Sequence, residues 1–445
     1  MREDFLHYLW RLARFDLRNL ATTEGEPIVI EHFGYHNTNA GPDFSNARIR
    51  IGKVHWAGNI EMHLNASEWY DHNHQNDPNY ESVILHVVLE EDQPVYRSNG
   101  SRIPCLELRG RIPSGLIRKY WRLQHNESWI PCANQLQSVS TLTINHWLER
   151  LMIERLERRA QQLESLLKAV NRDWEELFYQ SLARSLGGQV NADAMEILAR
   201  ALPLRILLRH KSSQLQIEAL LFGQAGLIPE NSDEAYPQKI KREYEVLAAK
   251  YKLKSLPKTI WRYLRLRPAN FPELRIAQLA RLLATTGQLF SKTIVAADVK
   301  ELENMFDINL SNYWRDHYLF GRKSKRSMKR LGRGSVHSIL LNTVAPTLYL
   351  YGQLRQEPQL QEKATDLLHT LPVENNLVLR NWDKHGITSE TAGRGQALLE
   401  LNKHYCRSKR CLECAIGCAI LGRNNGPDPV MTVNEEAILY ALTGS

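Results

Sequence analysis

The apolar residues change their spacing part way along the chain, and this change limits the folds that are open to it. Between residues 28 and 110, short apolar runs with many β-branched residues alternate with turn-forming residues, which predicts strands. After about residue 140, apolar residues recur at the three- and four-residue spacing of amphipathic helices. The sequence therefore predicts an α+β protein. A helix over residues 3–20 and a small mixed sheet come first, and a large all-α body follows.

Individual elements can be placed along this pattern. The predicted strands are 28–30, 47–51, 55–64, 83–89 and 105–108. Residues 67–80 are compatible with one short helix or an ordered loop. The longest predicted helix covers residues 147–170, and later helices are expected to break at Pro346, Pro372 and Gly386, since proline and glycine interrupt helices most strongly.

The chain has 445 residues, which predicts more than one domain. We expect domains at 1–130, 140–320 and 335–445, with a linker at 321–334 that carries seven Lys or Arg and no acid. The formal net charge of +8 is compatible with an anionic partner such as DNA or RNA. The alternative for the linker is a solvated loop. Its predicted phosphate contacts are Arg322, Lys323, Lys325, Arg326, Lys329 and Arg330.

The N-terminus and the hydropathy pattern bear on location. Arg2, Glu3 and Asp4 follow the first methionine, and the apolar residues after them have helical spacing, unlike a secretory leader. No run of about 18 uninterrupted apolar residues is present, so no membrane span is expected. These features predict a cytoplasmic protein. They do not predict its oligomeric state.

Three residues around two predicted strands have side chains that suit a catalytic metal site. Glu61 and His63 alternate along one strand and so face the same side, and Asp43 precedes the neighbouring strand. Two carboxylates and an imidazole suit Mg²⁺, Mn²⁺ or Zn²⁺. The competing interpretation is an aspartate that shapes its own turn and ordinary buried histidines. Residues that could support the site are Glu31, His72, His74 and His86.

The order of these segments resembles the core of the PD-(D/E)xK nuclease superfamily. Residues 28–90 contain Pro42-Asp43 and then Glu61-Met62-His63, with histidine in place of the motif lysine. The resemblance implies an αβββαβ core in which Asp43 and Glu61 hold Mg²⁺ or Mn²⁺. It also implies that His63 orients or activates the nucleophile. The implied activity is metal-dependent cleavage of phosphodiesters in DNA or RNA.

A second resemblance covers nearly the whole chain. The segments at 37–44, 56–63, 83–88 and 267–272, together with the cysteine-rich tail, are similar to a bacterial family of unknown function. This resemblance implies no particular activity. Two other functions therefore stay open. One is a non-catalytic scaffold that binds nucleic acid or protein. The other is a cupin-like enzyme that acts on a small molecule through a metal at His72, His74, Glu81 and His86.

Four of the six cysteines lie close together near the C-terminus: Cys406, Cys411, Cys414 and Cys418. Two cysteines separated by two residues form a chelating knuckle, and four thiolates suit Zn²⁺ or a 4Fe–4S cluster. One alternative has Cys132 as the fourth ligand in place of Cys418, an arrangement that is similar to iron–sulfur nucleases related to the superfamily. Another is that the cysteines are small apolar residues on one helical face.

Overall fold

The structure is a computed structural model that describes residues 2–422, so residues 423–445 of the predicted region 335–445 lie outside the described part. The chain divides into two compact units. One contains residues 2–147 and 402–422 and is called the sheet unit. The other contains residues 148–401 and is called the helical unit. The finer division at 1–130, 140–320 and 335–445 stays a prediction.

The sheet unit confirms the predicted helix and mixed sheet at the start of the chain. Its first helix is α1 (Glu3–Arg11), and two further helices are α2 (Glu68–Asp71) and α3 (Ser114–His125). Its strands are β1 (Ile28–His32), β2 (Tyr35–His36), β3 (Phe44–Ile51), β4 (Val54–Asn65), β5 (Val83–Glu90) and β6 (Cys105–Glu107). The strand order is β1-β3-β4-β5-β6, and β2 pairs with β3. The β1–β3 and β3–β4 pairs are antiparallel, and β5 is parallel to both β4 and β6.

The first helix is shorter than the predicted range 3–20. It ends at Arg11, and Ala13 then takes a left-handed conformation with φ of 49°. The turn lets the ring of Phe15 stack on the ring of Trp10 in α1. The prediction was wrong beyond Arg11 because Leu17 continues the apolar spacing but is exposed. The apolar spacing alone therefore predicted a helix that continues past the turn.

The central strands of the sheet are buried. Seven of the eight residues of β5 are buried, so both faces of this strand are covered. Gly58 in β4 allows a close approach, since a Cβ there would lie 2.5 Å from Cγ2 of Ile84. On one side, Phe5 of α1 stacks on Tyr120 of α3. This stacking joins α1 to α3, and α1 also packs against β4 of the sheet.

The predicted helical body is present in the rest of the chain, and it also contains one short pair of strands. Its first helices are α4 (Thr141–Ala169), α5 (Trp174–Leu186), α6 (Gly188–Ala201), α7 (Leu204–Leu208), α8 (Gln214–Gln224), α9 (Ala235–Tyr251) and α10 (Pro272–Thr286). Shorter elements follow: α11 (Leu289–Val295), α12 (Val299–Met305), α13 (Asn312–Arg315), β7 (His317–Leu319) and β8 (Arg322–Lys323). The last helices are α14 (Arg333–Ile339), α15 (Ala345–Arg355), α16 (Pro358–Thr370), α17 (Leu377–Lys384), α18 (Ala392–Glu400) and, in the sheet unit, α19 (Ala415–Gly422).

Pro346 does not break a helix, contrary to the prediction. The π-helical turn Leu340–Val344 joins α14 directly to α15. Proline lacks the amide that an α-helix requires, and a π-turn changes the hydrogen-bond pattern just before it. The helical path therefore continues through this proline. Within residues 2–422, no helix combines the length and the apolar character that crossing a membrane requires.

Candidate metal centre

The pairing of β3 with β4 brings Asp43 beside Glu61. Phe44 pairs with Ile60, so the residue before β3 lies next to Glu61 on β4. The backbone N–H of Asp43 donates to Oε2 of Glu61 at 3.1 Å. In return, the backbone N–H of Met62 donates to Oδ2 of Asp43 at 3.0 Å. Asp43 is thus bound to the sheet rather than turned into its own loop.

The parallel pairing of β4 with β5 adds a second histidine to the same face. His86 pairs with Glu61, and Nδ1 of His63 lies 2.7 Å from Nε2 of His86. The other ring nitrogen of His63, Nε2, lies 3.2 Å from Nδ1 of His72. One ligand atom from each of His63, His72 and His74 lies within 4.8 Å of the other two. We call these three residues the histidine triad.

A left-handed residue brings the last two members of the triad together. Asn73, between His72 and His74, has φ of 60° and separates α2 from a short 3₁₀ turn over His74–Asn76. Asparagine adopts this conformation more readily than most residues. Its side-chain oxygen accepts from Asn76 at 2.7 Å, which holds the turn. The ring of Tyr80 stacks on His74 with 3.8 Å between centroids and fixes its orientation.

Carboxylates lie next to the triad. Oε1 of Glu61 is 3.4 Å from Nε2 of His74 and 3.8 Å from Nε2 of His63. Burial, and then the charge of Asp43, raise the pKa of Glu61 to about 9. Burial and Asp43 likewise raise the pKa of Glu3 to about 7. Buried acids of like charge favour a cation between them, so this face suits a divalent ion.

Burial holds His63 and His86 in the neutral form, which is the form of histidine that binds metals. Burial, followed by the neighbouring His86, lowers the pKa of His63 to about 2. Burial also lowers the pKa of His86 to about 3. A metal-bound histidine commonly donates its second ring N–H to a neighbour, which fixes the ring. His86 occupies that position relative to His63, whose Nε2 faces the other triad members.

Sequence reasoning missed two residues of the site, Glu3 and His7. They are four residues apart on α1 and so share one face. Nε2 of His7 lies 3.1 Å from Oδ2 of Asp43, and Oε1 of Glu3 lies 3.9 Å from Nε2 of His63. Burial alone would lower the pKa of His7, but the hydrogen bond and charge of Asp43 outweigh it and raise the pKa. In the sequence, the only indication of these two residues is that they are ionisable and stand among the buried apolar positions of this helix.

Glu31 and Glu81 bond to residues other than the histidine triad. Oε1 of Glu31 lies 3.0 Å from Nδ1 of His55, and both side chains are partly exposed. Glu81 accepts a hydrogen bond from the hydroxyl of Ser98. Glu31, a predicted supporting residue, therefore serves as a comparison residue for tests of the site.

The cysteines near the C-terminus lie in one neighbourhood with Cys132. Cys132, Cys411 and Cys414 are buried, Cys406 is half-buried, and all are free thiols. Burial raises the pKa of Cys406 well above its usual value, and the charges of Cys132, Cys414 and Cys411 act in the same direction. Cys411 and Cys414 precede α19, so they do not lie on its face.

Backbone groups shape this cluster. The amides of Gly417 and Ile416 hydrogen-bond to the thiol of Cys414. A Cβ at Gly417 would lie 2.1 Å from the carbonyl oxygen of Cys411, so only glycine lets the chain close around these sulfurs. Cys418 differs, since its thiol donates to the carbonyl of Leu412 at 3.1 Å.

The predicted phosphate contacts lie in the helical unit. Lys329 is buried, unlike Arg322, Lys323, Lys325, Arg326 and Arg330, which are exposed. The ammonium of Lys329 donates to the carbonyl of Arg315 at 2.7 Å. It also lies 4.3 Å from the ring centre of Tyr318. The side chain of Lys329 thus stabilises its own loop. The other five cations are exposed, and Arg330 pairs with Asp307 at 3.2 Å.

Comparison with known proteins gives a family and no activity. The model of the family described as "Protein of unknown function (DUF2851)" matches residues 3–377. No curated protein and no solved structure matches the chain.

Proposed function

This chain belongs to the DUF2851 family, and we propose that it is a divalent-metal-dependent phosphodiesterase that acts as a nuclease. The observation that carries the proposal is the histidine triad beside Glu61 and Asp43 on one face of the sheet. The antiparallel pair β3–β4, with a carboxylate before one strand and Glu61-Met62-His63 on the other, also supports the nuclease resemblance.

The residues divide into ligands and supporting groups. His63, His72 and His74 would hold the ion, and Glu61 lies close enough to join them or to accept a proton at Oε1. Three imidazoles favour Zn²⁺ over Mg²⁺, while the added carboxylates also suit Mn²⁺. A bound ion of this kind activates water and stabilises charge on a phosphoryl group.

This assignment changes the roles that the nuclease resemblance implies. His63 would be a ligand and not the counterpart of the motif lysine. Asp43 would position Glu61 through the shared backbone hydrogen bonds, and His7 would hold Asp43. Glu3 has a raised pKa near neutrality and lies near His63, so it is suited to move a proton at the edge of the site.

The exposed cations of the helical unit support a nucleic-acid substrate. Arg322, Lys323, Lys325, Arg326 and Arg330 are exposed within nine residues of chain. Such clusters neutralise phosphates along a nucleic-acid backbone. DNA and RNA therefore both belong among the substrates to be tested.

The test is cleavage by metal-free protein after addition of Zn²⁺, Mn²⁺ or Mg²⁺. Substrates are bis(p-nitrophenyl) phosphate, single- and double-stranded DNA, and RNA. We expect Glu61→Gln and His72→Ala to lower the rate by about 100-fold or more, the usual effect of losing an acid–base or metal-bound group.

Matched controls are Glu31→Gln and His55→Ala, which change the same residue types at a partly exposed pair. They should retain the wild-type rate. Metal binding without cleavage of any substrate would contradict the phosphodiesterase assignment. Equal rates for Glu61→Gln and wild type would contradict the role of this site.

We also propose a separate structural cofactor at the cysteines. The ligands would be Cys132, Cys406, Cys411 and Cys414, and Cys418 would lie outside the set because its thiol bonds to a carbonyl. Four thiolates suit Zn²⁺ or a 4Fe–4S cluster. Such a site would tie residues 406–414 to Cys132 within the sheet unit. It is also what the non-catalytic scaffold alternative requires.

The cupin-like alternative has less support. The strands around the histidines belong to a mixed sheet with parallel pairs, and Glu81 is bonded to Ser98. A metal-dependent enzyme on a small molecule stays a prediction that the same cleavage assay separates from a nuclease.

A further inference from the structure

The helical unit contains a polar cavity of about 580 Å³. Its walls come from α4, α5, α6 and the segment 338–346, with further residues from 374–399. This volume lies within the range of small-molecule binding sites. The lining is unusual for such a site because polar and charged side chains predominate.

Four arginines line the cavity, and three of them have carboxylate partners. Arg155 pairs with Glu400, and Arg184 and Arg200 both pair with Glu196. These pairs fix the guanidinium groups and neutralise part of their charge. The remaining arginine is Arg159.

Arg159 makes no salt bridge with a carboxylate among the described residues, although the charge of Glu374 acts on it. Its Nη2 donates to Oδ1 of Asn342 at 2.9 Å. Burial, and then the charge of Arg155, lower its pKa to about 10. A guanidinium has five N–H donors, so most of those of Arg159 are free to bind an anion in the cavity.

Two uncharged side chains of the cavity wall also have polar atoms without a hydrogen-bond partner in the described chain. Gln180 and Ser181 on α5 line the cavity and are only 5% and 8% exposed. Oε1 of Gln180 and Oγ of Ser181 have no hydrogen-bond partner in the described chain. Buried polar atoms are nearly always bonded, so a ligand with donors and acceptors of its own would satisfy them.

We propose that this cavity binds a small molecule that carries a phosphate and has the size of a nucleotide, with its phosphate on Arg159. A phosphate offers the charge and the oxygen geometry that a free guanidinium fork binds best. The carboxylates of Glu196 and Glu374, which also line the cavity, can accept hydrogen bonds from the hydroxyl groups of a sugar. The proposal does not depend on the histidine triad or on the proposed nuclease activity.

The test is calorimetric titration of the full-length protein with four probes: inorganic phosphate, ribose 5-phosphate, AMP and ATP. We expect at least one organic phosphate to bind and Arg159→Gln to weaken it by about tenfold or more, the usual effect of losing one charge-assisted hydrogen bond. Arg159→Lys should recover only part of the affinity because it keeps the charge but not the fork.

Arg209→Gln is the matched control, since Arg209 is an exposed arginine of the same unit that does not line the cavity. Its affinity should stay within about twofold of wild type, as expected for a surface change. Ser181→Ala is a milder second variant in case Arg159→Gln does not fold, and it should weaken binding as well. The proposal is overturned if no organic phosphate binds the wild type, or if the folded Arg159 and Ser181 variants both bind as it does.

Discussion

The side chains of Asp43 and Glu61 are held together by two hydrogen bonds from backbone amides. The amide of Asp43 donates to the carboxylate of Glu61, and the amide that follows Glu61 donates to the carboxylate of Asp43. Two carboxyl groups are therefore held together by the sheet itself. Such an arrangement fixes the acids before any ion binds, which is the pre-organisation that a metal site needs.

This exchange predicts different stabilities for two variants of Asp43. Asp43→Asn and Asp43→Ala both remove the charge, but only asparagine keeps an oxygen that can accept from Met62. We expect Asp43→Ala to be less stable than Asp43→Asn by about 1–3 kcal/mol, the cost of an unsatisfied buried amide. Urea unfolding of the metal-free proteins measures the difference. Equal free energies of unfolding would show that this hydrogen bond contributes little.

The helical unit contains a buried carboxylate whose loss should be costly. Glu400 is fully buried and accepts from Nε of Arg158 at 3.0 Å and from Nη1 of Arg155 at 3.3 Å. Glu400→Gln leaves both cations without their charge partner, so we expect it to lower the free energy of unfolding by about 2–4 kcal/mol.

The control for this change is Glu164→Gln, which removes a surface pair with Lys168 one helical turn away. An exposed pair of this kind contributes about 0.5 kcal/mol or less. Chemical denaturation compares the two variants. A loss for Glu400→Gln no larger than that of the control would contradict the account of this network.

A buried glutamate should make stability depend on pH. Burial raises the pKa of Glu273, although a hydrogen bond from Tyr263 at 2.8 Å opposes the shift. The folded protein therefore keeps this proton at a higher pH than the unfolded chain. The resulting stabilisation is complete below the unfolded pKa and is lost as pH rises through the folded pKa.

Glu273→Gln removes this titration. Between about pH 5 and about pH 8, wild type should lose stability relative to the variant, and unfolding free energies at the two pH values measure this change. The comparison cancels the titration of other groups. A difference that is constant, or that grows in favour of wild type at high pH, would contradict the raised pKa.

The choice between Cys132 and Cys418 can be tested by metal content. After anaerobic purification without chelators, Cys132→Ser should lose the zinc or iron that the cysteines bind, because one of four thiolates is missing, and should keep any ion at the histidine triad. Cys418→Ser should keep the zinc or iron that the cysteines bind, as should Cys105→Ser, a control for a buried thiol on β6. Visible absorption distinguishes an iron–sulfur cluster from zinc. Metal loss in Cys418→Ser alone would reverse the assignment.

Much of the fold could be predicted because strands and helices leave different periods in the sequence. The five predicted strands and the long helix near residue 150 follow from those periods. The end of α1 could not be predicted, since the left-handed Ala13 carries no signal in its residue type. The π-turn before Pro346 was missed for the same reason. The π-helical hydrogen-bond pattern before Pro346 lets the helix continue through a residue type that usually ends a helix.

The candidate site was predictable where it follows strand alternation and not where it depends on tertiary contacts. Glu61 and His63 share a face because side chains alternate along β4. Glu3 and His7 reach the site only because α1 packs against that strand. The cavity around Arg159 is lined by residues 155–200 and by residues 338–399, which are far apart in sequence. No local sequence pattern could therefore predict it.

The most direct test of the central claim is anomalous diffraction from crystals soaked with Zn²⁺ or Mn²⁺. We predict one anomalous peak within about 2.0–2.3 Å of ring nitrogens of His63, His72 and His74, the distance expected for coordination. Crystals of His72→Ala should lack that peak, while His55→Ala should keep it. A wild-type crystal whose histidine triad has no peak after soaking would contradict the metal centre and the hydrolytic function that depends on it.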